Sequence, residues 1–157
     1  MTVAAIVAKL SLFLLAVSQQ QMAIITIFIN LLIVLVGSFF TVRSFKMKNP
    51  GSTMQAEIKN GMKATTFFAL LVSLFVLIYY SYIDTHYFAD MIQQRVNLAV
   101  QEKANHPEID IDQVRTAGEM MFSPKTHASI TLFGLTIVGA IYSFLISLLM
   151  RKIPGFK

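Results

Sequence analysis

The chain contains no cysteine among its 157 residues, and charged residues make up only 13% of it. Without cysteine, disulfide bonds, thiolate zinc sites and cysteine nucleophiles are excluded. The charged share is about half of that in a typical soluble domain, whereas hydrophobic residues reach 55%. A soluble protein this apolar would lack the polar surface needed to cover its core. The composition therefore indicates an integral membrane protein forming a single membrane domain over residues 1–157.

Long runs with almost no charge predict four membrane-spanning helices, at about 3–18, 22–42, 64–83 and 128–150. Crossing a bilayer takes about 17–25 residues, a length that the last three runs provide. The first run is short and carries Lys9 near its middle. A cleaved signal peptide and a helix lying at the membrane interface are alternatives for that run. The fold class predicted is an all-α integral membrane protein with four transmembrane helices.

The distribution of charge predicts how these helices are oriented. The basic loop 43–63 carries five Lys or Arg and one acid, whereas segment 84–127 carries four basic residues and seven acids. Three more basic residues follow position 150. Because cytoplasmic loops are enriched in Lys and Arg, we expect the basic loop and both termini in the cytoplasm and 84–127 outside. No basic and aromatic interleaving marks a nucleic-acid surface.

Segment 84–127 is the longest polar stretch of the chain. Apolar residues recur at spacings of three, four and seven over 87–99, which predicts a helix with one apolar face. Pro107 breaks this helix, and Asp110 or Asp112 can cap a second one. The prediction is an extracytoplasmic helical hairpin between helices 3 and 4. Two short helices bury little surface together, so their apolar faces need lipid, span ends or another protein.

Five features follow one another from residue 37 onward: the basic exit 43–48, the turn 57–61, the closing residues 82–84, the hairpin end 121–124 and the basic stop 151–152. This order resembles an uncharacterised four-helix inner-membrane protein family of Bacteroidota, a domain of unknown function. The resemblance implies a location in the inner membrane. It implies no known activity and transfers no catalytic residues.

One histidine and two aspartates at the start of segment 84–127 are candidates for a metal site. His86 and Asp90 are four residues apart and would share a helix face, with Asp84 as a third ligand. The favoured alternative is that Asp84 caps the outer helix while the other two are solvated, because a site needs three or four ligands. No catalytic triad, phosphate loop or HExxH pattern occurs. We therefore predict no metal, no cofactor and no enzymatic activity.

Lys9 and Asn30 are the strongly polar residues, one charged and one an amide, within the predicted spans. Ionisable groups inside a membrane are functional candidates by default. No Asp or Glu occurs in any predicted span, however, and a proton or ion relay needs a group to titrate. This argues against a secondary transporter acting alone. Asn30 is expected to bond to a neighbouring helix.

Small residues at Gly139, Ser143 and Ser147 are spaced by four on the last span, which permits close backbone approach. Internal packing and partner binding explain this stripe equally well. The candidate partner-binding residues combine it with the apolar faces of the hairpin: Tyr87, Phe88, Met91, Ile92, Met121, Phe122, Gly139, Ser143 and Ser147.

These features favour a non-catalytic accessory or scaffolding subunit of a bacterial inner-membrane complex. A secretion or protein-translocation assembly is one host that suits the architecture. The expected partners are the lipid bilayer and other inner-membrane proteins or further copies of the chain, with no nucleic acid. The alternative is an oligomeric channel or small-molecule transporter in which Lys9 and Asn30 face a shared polar path.

Overall fold

The computed structural model describes residues 2–3, 5–7, 11 and 19–152, with the backbone alone described at 19–23. Throughout these residues the chain is all-α and no strand occurs, which confirms the predicted helical content. The helices are α1 Gln19–Lys48, α2 Met54–Ile78, α3 Tyr87–Glu102, α4 Ile111–Met121 and α5 Pro124–Lys152. A π-helical turn, Tyr79–Ile83, continues α2.

Three helices in the described part of the chain are long and apolar enough to cross a membrane: Ile24–Lys48, Met54–Ile83 and Pro124–Lys152. They contain the predicted spans 22–42, 64–83 and 128–150 almost completely. The predicted first span 3–18, with Lys9, lies mostly outside the described residues. The chain is therefore a multi-pass membrane protein with three candidate spans.

Local signals explain where the helices begin and end. Pro50 follows α1 and cannot continue it. At the start of α2, the Ala56 amide donates to Thr53 Oγ1 over 3.3 Å. Pro124 occupies the first position of α5, where its missing N–H costs nothing, and the Thr126 amide donates to Ser123 Oγ over 3.2 Å.

The basic loop 43–63 is helical except at its centre. Residues up to Lys48 extend α1, and α2 begins at Met54, ten residues before the predicted start of the third span. Continuing the helix satisfies the backbone N–H and C=O groups that a loop would leave to water. As a result, Glu57 and Gly61 belong to the same helix as the apolar run that follows them.

The chain divides into two compact units, one comprising Met1–Val72 and Thr131–Lys157, the other Ser73–Ile130. In the first unit, α1 contacts α5 through a buried cluster of Val42, Ile146 and Met150. Phe39 and Tyr142 pack against this cluster and are partly buried.

In the second unit, α3 and α4 contact each other. Gly118 on α4 lies beside Ile92 on α3, and an added Cβ at residue 118 would be in van der Waals contact with the Ile92 side chain, 3.4 Å away. The Arg95 guanidinium lies 4.6 Å from the centre of the Phe122 ring. Asp110 caps α4, as expected, since its Oδ1 accepts from the Asp112 amide over 2.9 Å.

Candidate functional site at the α2–α5 contact

A buried carboxylate lies in the first turn of α2. Glu57 has an exposed fraction of 0%, whereas other acids of the chain, such as Glu108 and Glu119, are exposed. An isolated carboxylate would be very costly in such a place, so its oxygens need donors. The helix positions it by placing residue 57 on the same side as the buried residues Gly61 and Thr65.

Three side chains supply those donors. Oε1 accepts from Ser52 Oγ over 3.0 Å and from Arg151 Nη2 over 2.9 Å. Oε2 accepts from the Ser147 hydroxyl and from Arg151 Nε at 3.4 Å. Arg151 Nη2 also donates to the Ser52 carbonyl over 2.7 Å. The carboxylate is therefore both charge-paired and fully hydrogen-bonded, which is the condition for burying an ion.

The two partners of this ion pair differ in burial. The Arg151 side chain is 39% exposed, while that of Glu57 is completely buried. The guanidinium thus keeps part of its hydration and bears little of the desolvation cost. A planar guanidinium that contacts the carboxylate through two nitrogens also fixes the relative position of the two helices.

Small residues bring α2 and α5 close together next to this pair. An added Cβ at Gly61 would lie 2.9 Å from the Ser143 Cβ, and one at Gly139 would lie 2.6 Å from the Thr65 Cβ. Real Cβ atoms do not approach this closely, so neither glycine can be replaced without movement of the facing side chain. Helix backbones approach to this degree only where one partner lacks a side chain.

The contacts follow an antiparallel register with a step of four residues. Glu57 faces Ser147, Gly61 faces Ser143, and Thr65 faces Gly139. We call these six residues the small-residue ladder. Residues four apart on an α-helix share a face, so the ladder forms one continuous stripe on each helix. Arg151 extends it by one further step on α5.

The same end of α5 also contacts α1. Lys46 Nζ donates to the Met150 carbonyl over 2.8 Å. Carbonyls in the last turn of a helix have no partner within the helix, and a cation there interacts favourably with the helix dipole. Lys46 is one of the basic residues from which the orientation is predicted, and it therefore also connects the C-terminal ends of α1 and α5.

The predicted partner-binding residues lie at separate places. Gly139, Ser143 and Ser147 face α2 in the small-residue ladder, so internal packing accounts for them in this structure. In the second unit, Tyr87 and Phe88 form an aromatic cluster with Tyr80 and His127, with ring centroids 4.8–5.7 Å apart. Burial raises the pKa of the Tyr87 hydroxyl above its ordinary value.

Among the remaining predicted residues, Met121 is 64% exposed, while Met91, Ile92 and Phe122 are partly buried. Asn30 is partly buried on α1. Lys9 lies outside the described residues.

The proposed role of Asp84 as a helix cap is wrong. The N-cap position of α3 is His86, which makes no side-chain capping bond. The Asp84 amide instead donates to the Tyr79 carbonyl over 3.0 Å and closes the π-helical turn. Within the described residues, no group of three or more His, Asp or Glu side chains is arranged to hold a metal ion.

Sequence reasoning missed Glu57, Gly61 and Thr65 because it placed the first two in a loop. A signal was present. These residues are spaced by four, as are Gly139, Ser143, Ser147 and Arg151 on α5. When the two helices are aligned antiparallel, each glycine of one stripe faces a larger residue of the other, and Glu57 lies next to Arg151.

The three candidate spans indicate a multi-pass α-helical membrane protein, in which a buried ion pair joins two of the spans. The chain belongs to the family described as Protein of unknown function (DUF4199), whose model matches residues 1–152. No match was found among curated proteins or among solved structures.

Proposed function

We propose that the protein is a non-catalytic accessory or scaffolding subunit of a bacterial inner-membrane complex, such as a secretion or protein-translocation assembly. In this proposal, residues 3–18 supply a fourth span and both termini are cytoplasmic. Segment 84–127 then forms an extracytoplasmic helical hairpin and binds the partner protein. The distribution of Lys and Arg supports this orientation.

The supporting observation is apolar exposure outside the spans. On α3 and α4 four large apolar side chains are more than half exposed: Leu98 58%, Val100 54%, Met120 74% and Met121 64%. Isolated apolar residues are normal on a soluble surface, but four of them on two short helices leave much apolar area in water. Burial against a partner would remove this area from solvent.

The charge of the same segment favours a protein over the lipid surface as the cover. Segment 84–127 has seven acids and four basic residues. Anionic headgroups would repel this excess of negative charge, since they attract basic segments instead. A partner surface that is apolar and neutral or basic would complement it.

The state of Glu57 supports a structural role over transport. Both of its oxygens accept hydrogen bonds from the protein, and Arg151 balances its charge. A carboxylate held in this way has no vacant position for an ion or a proton in transit. The oligomeric channel with Lys9 and Asn30 remains the alternative proposal, with no contact of the described residues favouring it.

Site-specific photocrosslinking at native expression level tests the proposal. A photoreactive residue at position 120 or 98 should form an adduct of the same added mass, because both positions would face the same partner. The matched control is position 133, since Phe133 is 66% exposed on a span and should face lipid. Met121→Asp should abolish the adduct.

Adducts of two copies of this chain would favour the channel alternative. Absence of any adduct at both positions would contradict the proposal.

A further inference from the structure

One side of α2 carries a groove of about 710 Å³. The described residues that line it recur at steps of three and four and so form a single stripe of the helix: Gln55, Ile58, Lys59, Met62, Lys63, Thr66, Phe67 and Leu70. This stripe lies on the side of α2 away from the small-residue ladder. We call it the α2 groove.

The α2 groove changes character along its length. Its beginning carries the exposed polar residues Gln55, Lys59 and Lys63, and its far end carries Phe67 and Leu70, which are 65% and 50% exposed. At 1.5 Å per residue, Lys59 and Leu70 are separated by about 16 Å along the helix. This distance is close to half of the roughly 30 Å hydrocarbon thickness of a bilayer. The basic end and the apolar end of the groove are therefore about as far apart as a lipid headgroup and the middle of a bilayer.

The two lysines have no acidic partner within the described residues, where the ion pairs are Glu57 with Arg151 and Glu108 with His106. The sequence contains few acids that could pair with these two lysines. Of its eight acids, seven lie in 84–127 and the eighth is Glu57. A second copy therefore brings no free acid to this depth, and the run 1–18 contains Lys9 but no acid.

We propose that the α2 groove binds an anionic phospholipid, with its phosphate between Lys59 and Lys63 and an acyl chain along Met62, Phe67 and Leu70. Basic pockets beside membrane helices attract anionic headgroups. Lysine stems can extend along apolar surface while the ammonium groups reach the phosphate. This inference does not depend on the proposed function.

The absence of tryptophan from the sequence permits a direct test. Phe67→Trp introduces a unique fluorophore into the groove of the full chain in vesicles. Lipids with brominated acyl chains quench a tryptophan that they contact. Brominated phosphatidylglycerol should quench this residue at an about 10- to 30-fold lower mole fraction than brominated phosphatidylcholine, the size expected for two basic contacts.

Two variants make the result specific. Lys59→Gln combined with Lys63→Gln should remove the preference and leave quenching by both lipids equal. Ile137→Trp is the matched control, because residue 137 lies at the same depth by the register of the small-residue ladder and is 60% exposed. Its quenching should not discriminate between the two lipids.

Equal quenching of the residue 67 tryptophan by both lipids would overturn the proposal, as would a preference that survives loss of both lysines. No quenching by either lipid would also overturn it, because the groove would then be filled by residues 1–18, a second copy or another protein.

Discussion

Glu57 is the residue on which we expect the packing of the basic end of α2 and α5 to depend. A buried carboxylate stabilises a fold only when its partners are held in place, because removing one partner leaves the other with unmet bonds. Its carboxylate accepts hydrogen bonds from both sides of the helix contact: from Ser52 just before α2, and from Ser147 and Arg151 on α5. The group therefore acts as a connection between the start of α2 and the end of α5.

Replacing Glu57 with alanine should lower the free energy of unfolding by about 2 kcal/mol. Breaking a fully buried pair typically costs about 3–5 kcal/mol, and the exposure of Arg151 reduces this because water can solvate the orphaned guanidinium. Denaturant titration of the purified protein in detergent would measure the change. Glu119→Ala is the control, since Glu119 is exposed on α4 and its loss should change stability by less than about 0.5 kcal/mol. Equal effects of the two substitutions would show that Glu57 does not stabilise the contact.

At the residue level, local chemistry could be predicted from sequence and long-range pairing could not. Asp110 was identified as a possible cap because capping depends on residues two and three positions away. The partner of Glu57 lies 94 residues along the chain. Residues adjacent to Glu57 in sequence carry no information on such a contact, which only the two four-residue stripes of α2 and α5, compared with each other, indicate.

At the scale of helices, α2 and α5 contact each other through residue pairs that recur every four residues. In each pair at least one residue is a glycine or a serine. This geometry makes the contact intolerant of added volume. The stripe on α5 is visible in the sequence. The stripe on α2 that faces it is not, because hydrophobicity alone predicts a span that begins at residue 64, after Glu57 and Gly61. The correct start of α2 turns two unrelated stripes into one interface.

Gly139→Ala should destabilise the protein by about 2 kcal/mol, as overpacking of a tight contact does. The new Cβ would lie 2.6 Å from the Thr65 Cβ, so α2 and α5 must separate. Gly134→Ala on the same helix is the control, since nothing lies within 4 Å of its added Cβ and alanine favours helix. It should be neutral or slightly stabilising by the same denaturant titration.

A compensating change links this effect to the ladder. Gly139→Ala combined with Thr65→Gly should be less destabilising than the sum of the two single changes, because the second removes the clashing atoms. Strict additivity would mean that the two residues are not in contact.

At the scale of the whole molecule, the sequence predicted membrane class and helical content well. Both follow from hydrophobic runs whose length is set by the bilayer. The asymmetry of charge predicts an orientation of the spans, and that orientation predicts a pattern of accessibility that can be measured.

Because the chain has no cysteine, single cysteines can report that pattern. With an impermeant thiol reagent on intact cells, a cysteine at Asn105 should be labelled, while one at Ser52 should be protected. A cysteine at Thr2 should also be protected if residues 3–18 form a fourth span. Labelling at Thr2 together with Asn105 would leave three spans, and labelling at Ser52 but not Asn105 would reverse the orientation.

The proposed role as an accessory subunit is tested most directly by the mass of the particle extracted from native membranes in mild detergent. The chain alone has a mass of 17.6 kDa. Native mass spectrometry should find it in a fixed ratio with at least one different membrane protein. Met120→Ser combined with Met121→Ser should release that protein without changing thermal stability. The control, Gln113→Asn combined with Thr116→Ser on the same helix, should leave that protein bound. A particle containing only this chain, at the mass of one copy or of several, would contradict the proposed function.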